Sequence, residues 1–200
     1  MIGSLLSGYQ SVIALNCKKI IDVELRTGVP VIAADGAARW IEADYIVGDG
    51  DSTESSRLIR IPDQDTTDFE KCIAFAKERE LLPSLVIGMS GGEFDHILGN
   101  VQALLKHSER QNLFFLDPYP EGLKVGIPLE KGEFQTEVEP GATVSLIPFG
   151  SCTLSSEGLE WEIHNQTFRL DGPMAIRNRA KGKRIRVDVS KGKALLIVEI

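Results

Sequence analysis

The stretch DYIVGDGDS, residues 44–52, decides how the chain is read. Three apolar residues run into Gly48, and then two carboxylates, Asp49 and Asp51, stand one residue apart with Gly50 between them. Two like charges that close repel, and each raises the pKa of the other unless a cation sits between them. The stretch is therefore either a solvated turn or half of a metal site. Its apolar run is continuous rather than alternating, which is the pattern of a strand covered on both faces.

Working outward, the same texture recurs. SVIAL (11–15), PVIAA (30–34), SLVIGM (84–89) and LFFL (113–116) read as further strands. Helical patterns lie between them. Thr67 and Glu70 form a T-x-x-E capping box, followed by Phe69, Cys72, Ile73 and Ala76 at helical spacing. A second helix carries Ile97, Val101, Leu104 and Leu105. Strands alternating with helices predict an α/β domain with a mainly parallel, doubly wound sheet. Cys72 falls on an apolar helix stripe and reads as core.

Beyond about residue 117 the chain becomes rich in Pro and Gly and loses helical periodicity. TVSLIPF, LEWEI, QTFRL, RIRVDVS and ALLIVEI read as short strands. KGK before ALLIVEI reads as a hairpin turn, and Trp161 and Phe168 as core. RIRVDVS alternates, which puts Arg184, Arg186 and Asp188 on one solvated face. A small antiparallel sandwich or barrel is expected, giving domains at 1–122 and 123–200.

Bulk properties narrow the function. With 22 basic and 29 acidic residues the net charge is −7, which argues against a nucleic-acid partner. Cys17, Cys72 and Cys152 are odd in number and far apart, so neither a disulfide framework nor a zinc knuckle is expected. MIGSLLSGYQ lacks the pattern of a signal peptide, and no apolar run reaches membrane-spanning length. A cytoplasmic protein with no membrane partner is the expectation.

The carboxylates carry the functional reading. Asp35 follows PVIAA, Asp49 and Asp51 follow DYIVG, Asp63, Asp65 and Asp68 follow RLIRI, and Asp95 follows SLVIGM and its loop. In a parallel sheet those strand ends share one edge, where ligands bind. Seven carboxylates from four segments are expected to converge there, and hard oxygen ligands shared with phosphates suit magnesium. Taken singly, each Asp reads as a turn residue or cap rather than a catalytic group, and Asp68 as a first-turn acid; taken together with the glycines, they read as a site. The loop GMSGGEFDH, with Gly91 and Gly92, can bring backbone N–H groups against a phosphate, although a plain turn would use glycine too. His96 beside Asp95 serves either function or a local hydrogen bond. Arg177 and Arg179, in the irregular segment AIRNRAKG, suit either a ligand contact or a solvated surface.

Together ADGAARW, DYIVGDGDS, DQDTTDFEKC and GGEFDHILGN resemble thiamin pyrophosphokinases in order and spacing, and SEGLEWEI and AIRNRA resemble that family's C-terminal domain. The resemblance implies pyrophosphoryl transfer from ATP to the hydroxyl of thiamin, giving thiamin diphosphate and AMP. It implies a homodimer with active sites between subunits and a C-terminal β-sandwich. It assigns Asp35, Asp49, Asp51, Asp68 and Asp95 to magnesium and the substrate hydroxyl, with Asp49, Asp51 and Asp68 as metal ligands. Gln64 and Lys71 are placed near the nucleotide phosphates. Ser52, Gly91, Gly92, His96 and Asn100 fall on nucleotide-side motif positions, and Arg177 and Asn178 on the thiamin-side segment. The general base stays open among Asp68, Asp95 and Asp49. Two positions depart from the pattern: Glu93 stands where the family has arginine, and Arg177 where a small hydroxyl residue is common. A related pyrophosphokinase acting on another hydroxymethyl heterocycle, such as a pterin, and a non-catalytic nucleotide-binding protein are the alternatives.

Overall fold

β-branched and aromatic residues, flanked by polar turns, set the strands of the first half. A computed structural model describes residues 2–17, 25–52, 55–109, 111–119 and 122–200. It divides into two units. One comprises Leu6–His107 and Asn112–Asp117; the other comprises Met1–Leu5, Ser108–Gln111 and Pro118–Ile200.

The first unit begins within a short helix, α1 (Ile2–Gly8), and continues through β1 (Ser11–Ala14), β2 (Val31–Ala34), β3 (Tyr45–Gly48), β4 (Leu58–Arg60), α2 (Asp68–Glu78), β5 (Ser84–Ile87), α3 (Phe94–His107) and β6 (Leu113–Tyr119). Its strand order is β6-β5-β1-β2-β3-β4, and every pair is parallel. The chain builds outward from β1 through β4, then returns to β5 on the other side of β1. That reversal is the topological switch point of a doubly wound sheet, and it opens a crevice at the carboxyl ends of the strands. The strands beside it, β1 and β5, are buried at every position, as their continuous apolar runs predict.

Helix α2 starts as the capping box demands. Glu70 N–H donates to Thr67 Oγ at 3.2 Å, and Thr67 N–H donates to Glu70 Oε2 at 3.0 Å. Its stripe of Phe69, Cys72, Ile73 and Ala76 is buried. The other oxygen, Glu70 Oε1, lies 2.8 Å from Lys106 Nζ and 3.0 Å from His107 Nε2 at the end of α3. One carboxylate thus caps one helix and ties it to the next.

The second unit is antiparallel throughout. It contains β7 (Gly122–Leu129), β8 (Gly132–Glu137), β9 (Thr143–Glu157), β10 (Gln166–Arg169), β11 (Ala175–Arg179) and β12 (Arg184–Glu199). Strands β9 and β12 pair along their whole lengths, and each serves two layers. The Arg184–Val189 half of β12 pairs β8, and the Ala194–Glu199 half pairs β7. Likewise β9 pairs β11 near its start and β10 near its end. The sandwich is therefore two four-stranded layers made by bending two long strands, with Phe134, Cys152, Leu154, Phe168 and Val187 buried on one and Ile127, Val144, Leu146 and Leu196 on the other.

Four expectations are corrected here. KGK is not a hairpin turn: β12 runs through it, with register shifts between Val189 and Lys193. Gly192 makes that bend possible, because its φ is +81° and a Cβ there would lie 2.2 Å from the Ser151 carbonyl oxygen. LEWEI is not a strand; Leu159 makes one bridge to Ala180. Trp161 is 60% exposed rather than core, while Phe168 is buried. The segment around Arg177, expected to be irregular, is strand β11 with a bulge between Ala175 and Asn178.

Burial by itself would raise the Glu70 carboxyl, but hydrogen bonds from Lys106, His107 and the Thr67 N–H outweigh it and bring it to about 2. A carboxyl depressed in the folded state stabilises above its unfolded pKa, and that contribution fades as pH falls through the folded value. Glu70→Gln should therefore lower stability at pH 7 by about 2 kcal/mol, discounted from the full shift because Lys106 is largely exposed. The deficit should shrink as pH falls from about 4.5 toward 2, which urea unfolding across that range checks.

Candidate active site

The parallel register brings the strand-end acids together. Ala34 of β2 pairs Val47 of β3, so Asp35 and Asp49, just beyond those strands, emerge side by side. Asp68 opens α2 against the same edge. One carboxylate oxygen from each of Asp35, Asp49 and Asp68 lies within 4.8 Å of the others. Gly48 allows this approach: a Cβ there would sit 2.6 Å from Asp35 Cβ and 3.2 Å from Asp68 Cγ and Oδ1.

Lys71 is the counter-charge. One helical turn after Asp68, its side chain is only 3% exposed, and Nζ lies 3.1 Å from Asp68 Oδ1 and 3.9 Å from Asp49 Oδ2. Asp35 is fully buried and accepts the Ser52 N–H at 3.0 Å on Oδ2. Asp49 accepts the Asp51 N–H at 3.2 Å and the Gln64 amide at 3.2 Å. Those two hydrogen bonds, the backbone one foremost, hold its carboxyl below the usual range and keep it ionised. Asp68 moves the other way. Burial raises its pKa, the negative charges of Asp49 and Asp35 add to the rise, and Lys71 only partly offsets them.

Around this cluster lies a cavity of about 410 Å³. Asp51, Ser52, Thr66 and Thr67 line it from one side, and Asp95, His96, Gly99 and Asn100 of α3 from another. Asn16, just past β1, also lines it. The sequence signal for it is weak, because a neutral Asn that ends an apolar run at the same sheet edge does not stand out beside the carboxylates.

Placement of the expected residues is selective. Asp51 lines the cavity but is not in the three-carboxylate cluster, where Asp35 stands in its place. Gly50, at φ +82°, turns the chain between Asp49 and Asp51, and the Asp51 carboxylate accepts the Ser52 hydroxyl at 2.8 Å. The convergence of seven carboxylates is thus reduced. Asp63 and Asp65 are exposed and close their own turn, with the Asp65 N–H on Asp63 Oδ1 at 3.1 Å. Gly91 and Gly92 form the β5–α3 loop, tethered by the Ser90 N–H on Asp117 Oδ1 at 3.2 Å; the cavity wall is made by the helix after them. His96 is exposed, and its N–H donates to Asp95 Oδ1 at 2.9 Å.

Arg177 and Asn178 belong to the second unit. Arg177 is exposed, at φ +57°, with its guanidinium 3.6 Å from Glu199. Asn178 is buried, and its amide is spent on backbone: Nδ2 donates to the Trp161 carbonyl at 2.7 Å, and Oδ1 accepts the N–H of Trp161 at 3.1 Å and of Arg179 at 2.8 Å. It holds the loop that exposes Trp161.

An all-oxygen donor set in a glycine-floored cradle fits a hard divalent cation such as magnesium. Gly48→Ala should push Asp35 and Asp68 apart, costing about 1–3 kcal/mol of stability. It should also weaken divalent-cation binding at least tenfold, as read by calorimetry with Mg²⁺ or Mn²⁺.

Both parts of the chain are similar to known proteins. Residues 25–115 match the family model "Thiamin pyrophosphokinase, catalytic domain", and residues 131–194 match "Thiamin pyrophosphokinase, vitamin B1 binding domain". Thiamine pyrophosphokinase 1 of Arabidopsis thaliana is 31% identical over 134 residues, covering 63% of this chain and 50% of its own. Thiamin pyrophosphokinase 1 of Caenorhabditis elegans is 27% identical over 158 residues, covering 67% and 64%. The chain spans about half the length of the plant relatives it matches. Among solved structures, thiamin pyrophosphokinase from Candida albicans superposes with a TM-score of 0.76 over 98% of this chain and 91% of its own, at 19% identity. The Bacillus subtilis protein gives 0.76 over 94% and 98%, at 22%; at those identities the likeness speaks for the fold. With both of its domain models matched in order along most of the sequence, the chain belongs to the thiamin pyrophosphokinase family.

Proposed function

We propose that this protein transfers a pyrophosphoryl group from ATP to the hydroxyl of thiamin, giving thiamin diphosphate and AMP, and that it works as a cytoplasmic homodimer. Among the described residues no helix is long and apolar enough to cross a membrane. The observation that carries the reading is the Asp35–Asp49–Asp68 cluster around buried Lys71 in an open cavity at the sheet edge.

The transfer is an in-line displacement. The thiamin oxygen forms a bond to the β-phosphorus, the bond from that phosphorus to the oxygen bridging the α-phosphate breaks, AMP leaves, and the hydroxyl proton passes to a base. A magnesium ion bound by Asp35, Asp49 and Asp68 would neutralise charge on the β- and γ-phosphates. Lys71 adds a fixed positive charge that needs no reorganisation during the reaction. Gln64 and the Asp51 N–H keep Asp49 ionised and aimed at the cluster. Asp95 faces the cavity from α3, outside the three-carboxylate cluster, which leaves its carboxylate to accept the proton. Asn100 and His96 line the same wall and are assigned to binding.

The test is AMP release from ATP and magnesium, with and without thiamin. Wild-type protein should make AMP and thiamin diphosphate in equal amounts and only when thiamin is present. Asp49→Ala should lower kcat/KM by at least about 100-fold with its thermal midpoint little changed. AMP formed with a pterin but not with thiamin, or nucleotide bound with no AMP formed, would contradict the proposal.

A further inference from the structure

Two guanidinium groups hold the turn at residues 49–52 from different elements. Arg60, the last residue of β4, donates Nε to the Asp49 carbonyl at 2.8 Å. Its side chain lies across Gly50, so that a Cβ built there would be 3.7 Å from Arg60 Nε and 3.9 Å from Cδ. Arg39, which ends the short 3-10 turn Asp35–Arg39, donates Nη2 to the Ser52 carbonyl. Both arginines are exposed. Among the described residues neither lies within ion-pair distance of a carboxylate, although Asp49 and Asp51 belong to the turn they hold.

Holding a backbone carbonyl needs one N–H and no charge. A guanidinium has five N–H groups in a planar fork suited to phosphate oxygens. Each arginine thus spends one donor on the turn and keeps the rest of its fork and its full positive charge on a turn whose Asp49, Asp51 and Ser52 line the cavity. Within the cavity, Lys71 is already committed to Asp68 and Asp49. A nucleoside triphosphate carries more negative charge than one divalent cation neutralises, and it needs further cations nearby.

We propose that Arg39 and Arg60 bind the phosphate chain of the nucleoside triphosphate, from the outer side of the same turn whose Asp49 belongs to the three-carboxylate cluster. The inference rests on the reading of the cavity as a nucleotide site. The backbone contacts orient both guanidiniums before the nucleotide arrives, so the binding cost of ordering two long side chains is reduced.

Arg39→Gln and Arg60→Gln test this, because glutamine keeps an N–H donor for the carbonyl and loses the charge. Calorimetry compares Mg–ATP with AMP on wild type, both variants and Arg60→Lys. Each glutamine variant should bind Mg–ATP about 5- to 20-fold more weakly and AMP within twofold of wild type, with Arg60→Lys in between. The KM for ATP should rise in parallel while the KM for thiamin stays within twofold. Glutamine variants that bind Mg–ATP as tightly as wild type would overturn the inference. So would equal losses of ATP, AMP and thiamin binding, since that pattern belongs to a disturbed turn. Wild-type protein that binds no nucleotide would overturn the functional reading together with this inference, and the wild-type titration separates that case from the other two.

Discussion

The structure depends on keeping three carboxylates in one place. At separations up to 4.8 Å, each pair of ionised groups repels by roughly 3–4 kcal/mol at the effective dielectric of a protein surface. Buried Lys71 answers part of that repulsion. A divalent cation bound there would remove the remainder, and a polyphosphate would bring it. Asp68 registers the conflict: burial and its two neighbours raise its pKa despite a lysine at 3.1 Å.

Everything nearby serves that placement. Parallel pairing delivers Asp35 and Asp49 to neighbouring strand ends, and the capping box starts α2 where Asp68 and Lys71 reach the same edge. Gly48 removes the side chain that would fill the space between Asp35 and Asp68. Glu70, adjacent to Lys71 in sequence, fastens that helix to α3, whose first turns carry Asp95, His96 and Asn100 to the cavity. The second unit solves a separate problem, two sheets from two long strands, by placing Gly192 where the Ser151 carbonyl crowds the chain.

Much of this is legible in the sequence because it is written in local rules. Continuous apolar runs announce β1, β2, β3 and β5, T-x-x-E announces α2, and Asp directly after the β2 and β3 runs points to one edge. What is not legible depends on partners distant in the chain. KGK looks like a hairpin turn, yet the long pairing of β12 with β9 makes it a bulge inside one strand. Trp161 looks like core, but buried Asn178 takes its backbone N–H and carbonyl and leaves the ring outside. Asp63 and Asp65 sit in the right segment but turn to each other. Asp35 joins Asp49 and Asp68 where Asp51 was expected, because only the sheet register shows which strand-end acids are neighbours. Nothing in the spacing of Arg39 and Arg60 shows that both meet the turn at 49–52.

The measurement that tests the central claim most directly is a crystal structure with Mn²⁺ and a non-hydrolysable ATP analogue, using the anomalous signal to locate the metal. The account predicts a metal peak coordinated by oxygens of Asp35, Asp49 and Asp68, with the analogue's phosphates on it and beside Lys71. A nucleotide bound in the cavity with its metal elsewhere, or a fully occupied analogue with those three carboxylates uncoordinated, would contradict it.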